Sequence, residues 1–198
     1  MKNYYPLNIN INSAIRSEFD VNALLVDAPY IAKKHNGVWS YDQHELTTVF
    51  TQSWIDYMRS IRLDIEAVLL FYRQAYFVYP EPHIDFLHGT KQHSTVAINW
   101  VITKDDSEMV WYETPADAEN RSRGLLLPGY THEYISWPVT ELTEVERHCI
   151  GNVPTIVRTD VPHNIIVNAN PRWAINVRCK VPTTNWSDTV EYMREYIK

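Results

Sequence analysis

In the run Pro82-His83-Ile84-Asp85-Phe86 an imidazole and a carboxylate stand two residues apart. On an extended backbone such residues point to the same side, so His83 and Asp85 can address one cation together. A third donor has to come from elsewhere in the chain. His163, within Thr159-Asp160-Val161-Pro162-His163-Asn164, is the best candidate. Two histidines and one carboxylate leave coordination positions open, the arrangement that suits iron(II) when it must also take a chelating co-substrate and oxygen. An isolated His-x-Asp also arises by chance, and His88 and His93 follow His83 closely enough to build a different cluster. The surrounding polar stretch Leu87–Gln92 reads as a loop rather than a rigid scaffold.

The segment His163-Asn164-Ile165-Ile166-Val167-Asn168-Ala169-Asn170-Pro171-Arg172-Trp173-Ala174-Ile175-Asn176-Val177-Arg178 makes the pattern more specific. It resembles prolyl-hydroxylase-like iron(II), 2-oxoglutarate-dependent oxygenases, which carry a distal histidine on one strand and an arginine about nine residues later on the next. His163 and Arg172 stand at that spacing, followed by the aromatic-Ala-Ile-x-Val pattern. Val157–His163 is also similar to phage and marine-bacterial oxygenases of uncharacterised substrate. The resemblance spans roughly Ile65 to Lys180. Glycine is scarce around Pro80–Pro82, where relatives often turn more flexibly, and the N-terminal region matches nothing in the family.

The resemblance implies Fe(II) held by His83, Asp85 and His163, with 2-oxoglutarate as co-substrate. That acid chelates iron through its keto group and one carboxylate, and Arg172 would offer a permanently charged, bidentate fork to the distal carboxylate. Strand alternation puts Arg172, Ala174, Asn176 and Arg178 on one face, so Arg178 is a rival anchor or a substrate contact. An ordinary surface ion pair is the other reading of each arginine. Asn99, a polar residue in the apolar run Val96–Ile102, matches a co-substrate donor of the resembling hydroxylases, or is a satisfied core amide. Tyr72 would similarly donate its hydroxyl, or is a core aromatic with its hydroxyl at the rim. Trp111 and Tyr112 resemble an aromatic pair ending a core strand, one ring facing inward.

The activity implied is hydroxylation of a substrate C–H bond coupled to decarboxylation of 2-oxoglutarate to succinate. By analogy alone the substrate leans toward a protein or amino-acid side chain, with other small molecules open. Two other readings stand beside it. One is a non-catalytic jelly-roll binding module or structural phage protein, since fold does not settle function. The other is a cupin-like metalloenzyme that works without 2-oxoglutarate.

Such a site needs a frame, and the chain supplies strand after strand. Ile65–Tyr72, Tyr76–Tyr79, Ser94–Thr103, Glu108–Glu113, Glu133–Trp137, Glu144–Ile150, Thr155–Arg158, Asn164–Asn168 and Arg172–Lys180 all read as short strands. Before them, Leu46, Val49, Phe50, Trp54, Tyr57 and Met58 recur at helical spacing, one helix or two short ones covering a sheet. Ser187–Ile197 opens with a Ser-Asp cap and spaces Val190, Met193, Tyr196 and Ile197 as a short helix. The expectation is one domain over 1–198, mainly β. It has an irregular arm at 1–40, helical cover at 41–60, a core at 65–180 and a C-terminal helix at 187–197. Pattern alone allows a sandwich, a barrel or a jelly roll; the resemblance implies a double-stranded β-helix, the jelly-roll or cupin-like core. The long segment Thr114–Tyr130 reads as a lid or an edge covering.

A net charge of -6 argues against bulk nucleic-acid binding, which needs a basic surface to displace counterions. Two cysteines, Cys149 and Cys179, without zinc-finger spacing suit a reducing cytoplasm. The longest apolar runs are strand-sized and the N-terminus lacks a secretory pattern, so neither a membrane span nor export is expected. The oligomeric state is not legible.

Overall fold

The computed structural model describes residues 1–26, 36–77, 81–85, 96–103, 106–115, 121–127 and 130–198, with backbone alone for Asn36, 121–127 and 130–134. The chain is mainly β, in two antiparallel six-stranded sheets with few helices. Its strands are β1 (Tyr4–Pro6), β2 (Asn36–Asp42), β3 (Asp64–Arg73), β4 (His83–Ile84), β5 (Val96–Val101), β6 (Glu108–Glu113), β7 (Arg121–Leu127), β8 (Tyr130–Ser136), β9 (Thr143–His148), β10 (Thr155–Arg158), β11 (His163–Ile166) and β12 (Arg172–Lys180). One sheet has the order β1-β10-β5-β12-β3-β2 and the other β7-β8-β4-β11-β6-β9.

The pairings nest. β3 pairs with β12, β4 with β11, β5 with β10 and β6 with β9, all antiparallel, so β3 to β6 form one arm of a long hairpin and β9 to β12 the other. The β7–β8 hairpin sits at its tip and joins the sheet edge beside β4.

The first sheet buries both faces, which is why β3 and β12 read as nearly continuous apolar runs. On one face Val68, Leu70, Ile98, Trp100, Ile156, Trp173, Ile175 and Val177 pack into the larger apolar cluster. It is covered by α1 (Ala23–Val26), α2 (Leu46–Val49) and α3 (Gln52–Ser60), and by the C-terminal segment. α3 starts where the Thr51 side chain accepts a hydrogen bond from the Trp54 amide, and its buried Trp54, Ile55 and Met58 share one stripe. On the other face Ala97 and Val157 meet Met109 and Trp111 of the second sheet in a smaller apolar cluster. This is the face that carries the polar residues of the site.

Several expectations are corrected here. Residues 1–40 are not an irregular arm throughout: β1 extends the first sheet beyond β10, and β2 forms its opposite edge against β3. Tyr76 is not in a strand but in a turn, with φ at 60° and its amide bonded to the Asn168 carbonyl. Part of the lid segment is a strand, β7, instead of a loop. The C-terminal helix α4 spans Trp186–Tyr192 and is capped by Asn185, whose side chain accepts from the Asp188 amide, not by Ser187; a 3-10 turn follows at Arg194–Tyr196. No helix among the described residues is long and apolar enough to cross a membrane.

Candidate metal centre

His83 opens β4 and is the direct cross-strand partner of His163, which opens β11. Residues directly opposite in an antiparallel pair project to the same face, so the register alone brings the two imidazoles together, with ring centres 4.8 Å apart. On the other side of β11, Trp111 is the cross-strand partner of His163. Trp111 is fully buried, and its indole Nε1 donates to the Arg158 carbonyl. Past β4 the backbone stays anchored, because the Asp85 amide donates to the Thr159 carbonyl at 3.1 Å. That bond sets the carboxylate beside the rings.

Asp85 Oδ1 lies 3.4 Å from His83 Nε2 and 3.7 Å from His163 Nε2. One donor atom from each of the three residues lies within 4.8 Å of the others, and the group could hold a metal ion. Bonds of about 2.1 Å put neighbouring donors roughly 3 Å apart, so small side-chain rotations close the set. The His163 tautomer is already suited to this. Its Nδ1 lies 3.0 Å from the Val161 carbonyl, a bond only an Nδ1–H can make, which leaves the Nε2 lone pair facing the carboxylate.

Burial works against the Asp85 carboxylate, but Arg178, then His163 and His83, outweigh it and hold the group well below the usual carboxylate range. Burial also pushes His163 down, from its ordinary 6.5 to about 4, despite the opposing pull of Asp85. Both ligands are therefore in their metal-binding protonation states at neutral pH.

These shifts set a pH dependence. Between pH 6.5 and about 4 the unfolded chain protonates this histidine while the folded chain does not, so stability falls as pH drops through that window. The expected loss is on the order of 3 kcal/mol. Asp85 adds a loss at still lower pH, as the folded carboxylate is finally protonated. Urea unfolding at a series of pH values checks this: the midpoint should fall below pH 6.5 in the native protein and fall less in His163→Gln.

The face that carries the triad continues along β12. Arg172, Ala174, Asn176 and Arg178 share it, as their alternation requires, and all four are buried. Arg178 lies at the metal end, where its Nη2 donates to Asp85 Oδ2 at 2.6 Å. Neither arginine is therefore an ordinary surface residue. Midway along, the Asn176 side-chain amide donates to Asn99 Oδ1 at 2.7 Å, so Asn99 is on the triad's side and is satisfied in part by another amide. Arg172 begins the strand at its far end, 3% exposed.

Tyr72 is not brought to this group. It is the cross-strand partner of Trp173 and packs tilted against that ring, with centres 5.2 Å apart, on the opposite, helix-covered face. The tyrosine expected to donate to a co-substrate is a core aromatic. His88 and His93 lie outside the described residues.

Arg73 escaped the sequence reading. It is buried directly across from Arg172, at the end of the β3 face formed by Ala67, Leu69 and Phe71. Its Nη1 donates to the carbonyls of Gly37 and Tyr72. Counting by twos back from Arg73 was the available signal.

No family model matches the chain, and no curated protein matches it significantly.

Proposed function

We propose that the protein is an iron(II)- and 2-oxoglutarate-dependent oxygenase on a double-stranded β-helix. The observation that carries this reading is the convergence of His83, Asp85 and His163, with Asn99, Asn176 and Arg172 extending from them on one buried face. The fold reading is supported by the nested pairing of β3–β6 with β9–β12, since a long antiparallel hairpin wound on itself is what generates a jelly roll.

The donor set fits the ion: two imidazoles and one ionised carboxylate, with open positions left for exogenous ligands. When bound, iron(II) would supply activation of O2, whose oxidising equivalents are shared between decarboxylation of 2-oxoglutarate to succinate and CO2 and hydroxylation of a substrate C–H bond. The chain's own residues do the rest. The Val161 carbonyl fixes the His163 tautomer, and Arg178 keeps Asp85 ionised. Trp111 and its apolar neighbours keep water from the inner side of the triad. Arg172 neutralises a distal carboxylate, and the Asn99–Asn176 pair presents amide groups between that charge and the metal end.

Anaerobic addition of Fe(II) and then 2-oxoglutarate is expected to produce a weak visible charge-transfer band. Admission of oxygen should release succinate. A native protein that binds Fe(II) but gives neither signal would overturn the reading in favour of a metal centre without this co-substrate.

A further inference from the structure

The contact between Arg178 and Asp85 is a short polar link between the two sheets at the triad. Nη2 engages Oδ2 at 2.6 Å, whereas the histidine nitrogens approach the other oxygen, Oδ1. The two carboxylate oxygens thus have separate partners. The register of β12 on β3 also shifts between Arg178 and Cys179, an irregularity of the kind that re-aims a side chain.

We propose that Arg178 is a positioning residue of the metal centre. By occupying Oδ2 it holds Asp85 to one-oxygen coordination through Oδ1 and so preserves an open position on the ion. The inference rests on the metal-binding reading of the triad. A carboxylate with both oxygens available can chelate a cation with both. A charge-assisted hydrogen bond from the guanidinium removes one oxygen from that competition. With Arg178 in place, a six-coordinate ion takes three donors from the chain, and about three positions remain. Without it, the freed oxygen closes one of them. The same contact accounts for Arg178 at the metal end while Arg172 is left at the far end of the strand.

Mn(II) serves as the probe, because the relaxation of water nuclei counts the exchangeable waters on the bound ion. The native protein is expected to hold about three and Arg178→Met about two, with circular dichroism establishing that the variant is folded. A native count of about two, or an unchanged count in folded Arg178→Met, would overturn the proposal. If Arg178→Met does not fold, Arg178→Gln is read in its place, and an unchanged count there would likewise overturn the proposal. Absence of any bound Mn(II) in the native protein would overturn the metal reading itself and this inference with it.

Discussion

Alanine at His163 is expected to weaken Fe(II) binding, or Mn(II) binding as a redox-silent substitute, by more than about 100-fold, since even the loss of an outer partner of a ligand costs roughly 10- to 100-fold. Titration calorimetry of the native and variant proteins measures it. Asp85→Ala should differ in kind. It removes a ligand and also strips the buried Arg178 of the carboxylate at 2.6 Å. Breaking one side of such a pair typically costs about 3–5 kcal/mol. The metal-free Asp85→Ala protein should therefore unfold at clearly lower denaturant than metal-free His163→Ala, although both fail to hold the ion. Tight binding retained in His163→Ala would mean that the three side chains meet only by the accident of packing.

Arg172→Ala should leave metal affinity within a few-fold of native and raise the dissociation constant for 2-oxoglutarate by at least about 30-fold. Truncating one partner of a buried, hydrogen-bonded charge pair costs upward of roughly 2 kcal/mol. The separation is what makes the test clean. Arg172 and Arg178 are six residues apart on one strand, so the loss leaves the three candidate donors and the Arg178 contact with Asp85 in place. Titration of the charge-transfer band in both proteins gives the two constants. Equal 2-oxoglutarate affinity would remove Arg172 as an anchor and favour an enzyme that uses the metal without this acid.

The three residues that could hold a metal were legible because their signal is local or nearly so. His83 and Asp85 share a side by strand alternation, and His163 and Arg172 bracket a turn at a recognisable interval. Arg178 was placed on the right face, but its commitment to Asp85 was not readable, since that bond joins residues 93 apart in the chain and spans two sheets. Tyr72 shows the opposite failure. Both faces of β3 are largely buried, so apolar character does not reveal which parity faces the site, and the partner that decides the matter, Trp173, is a hundred residues away. β2 and β7 were missed for another reason. Each is an edge strand containing a glycine, Gly37 and Gly124, within segments that read as an irregular arm and as a lid or edge covering. Pairing overrode that weak local preference.

Because the long hairpin draws two of the three candidate donors from its outgoing arm and the third from its returning arm, no partial chain can assemble the set. A polypeptide still emerging from the ribosome would display His83 and Asp85 long before His163 is made, and a carboxylate with one imidazole is a poor competitor for scarce ions. Nested pairing thereby ties the meeting of the three donors to completion of the fold.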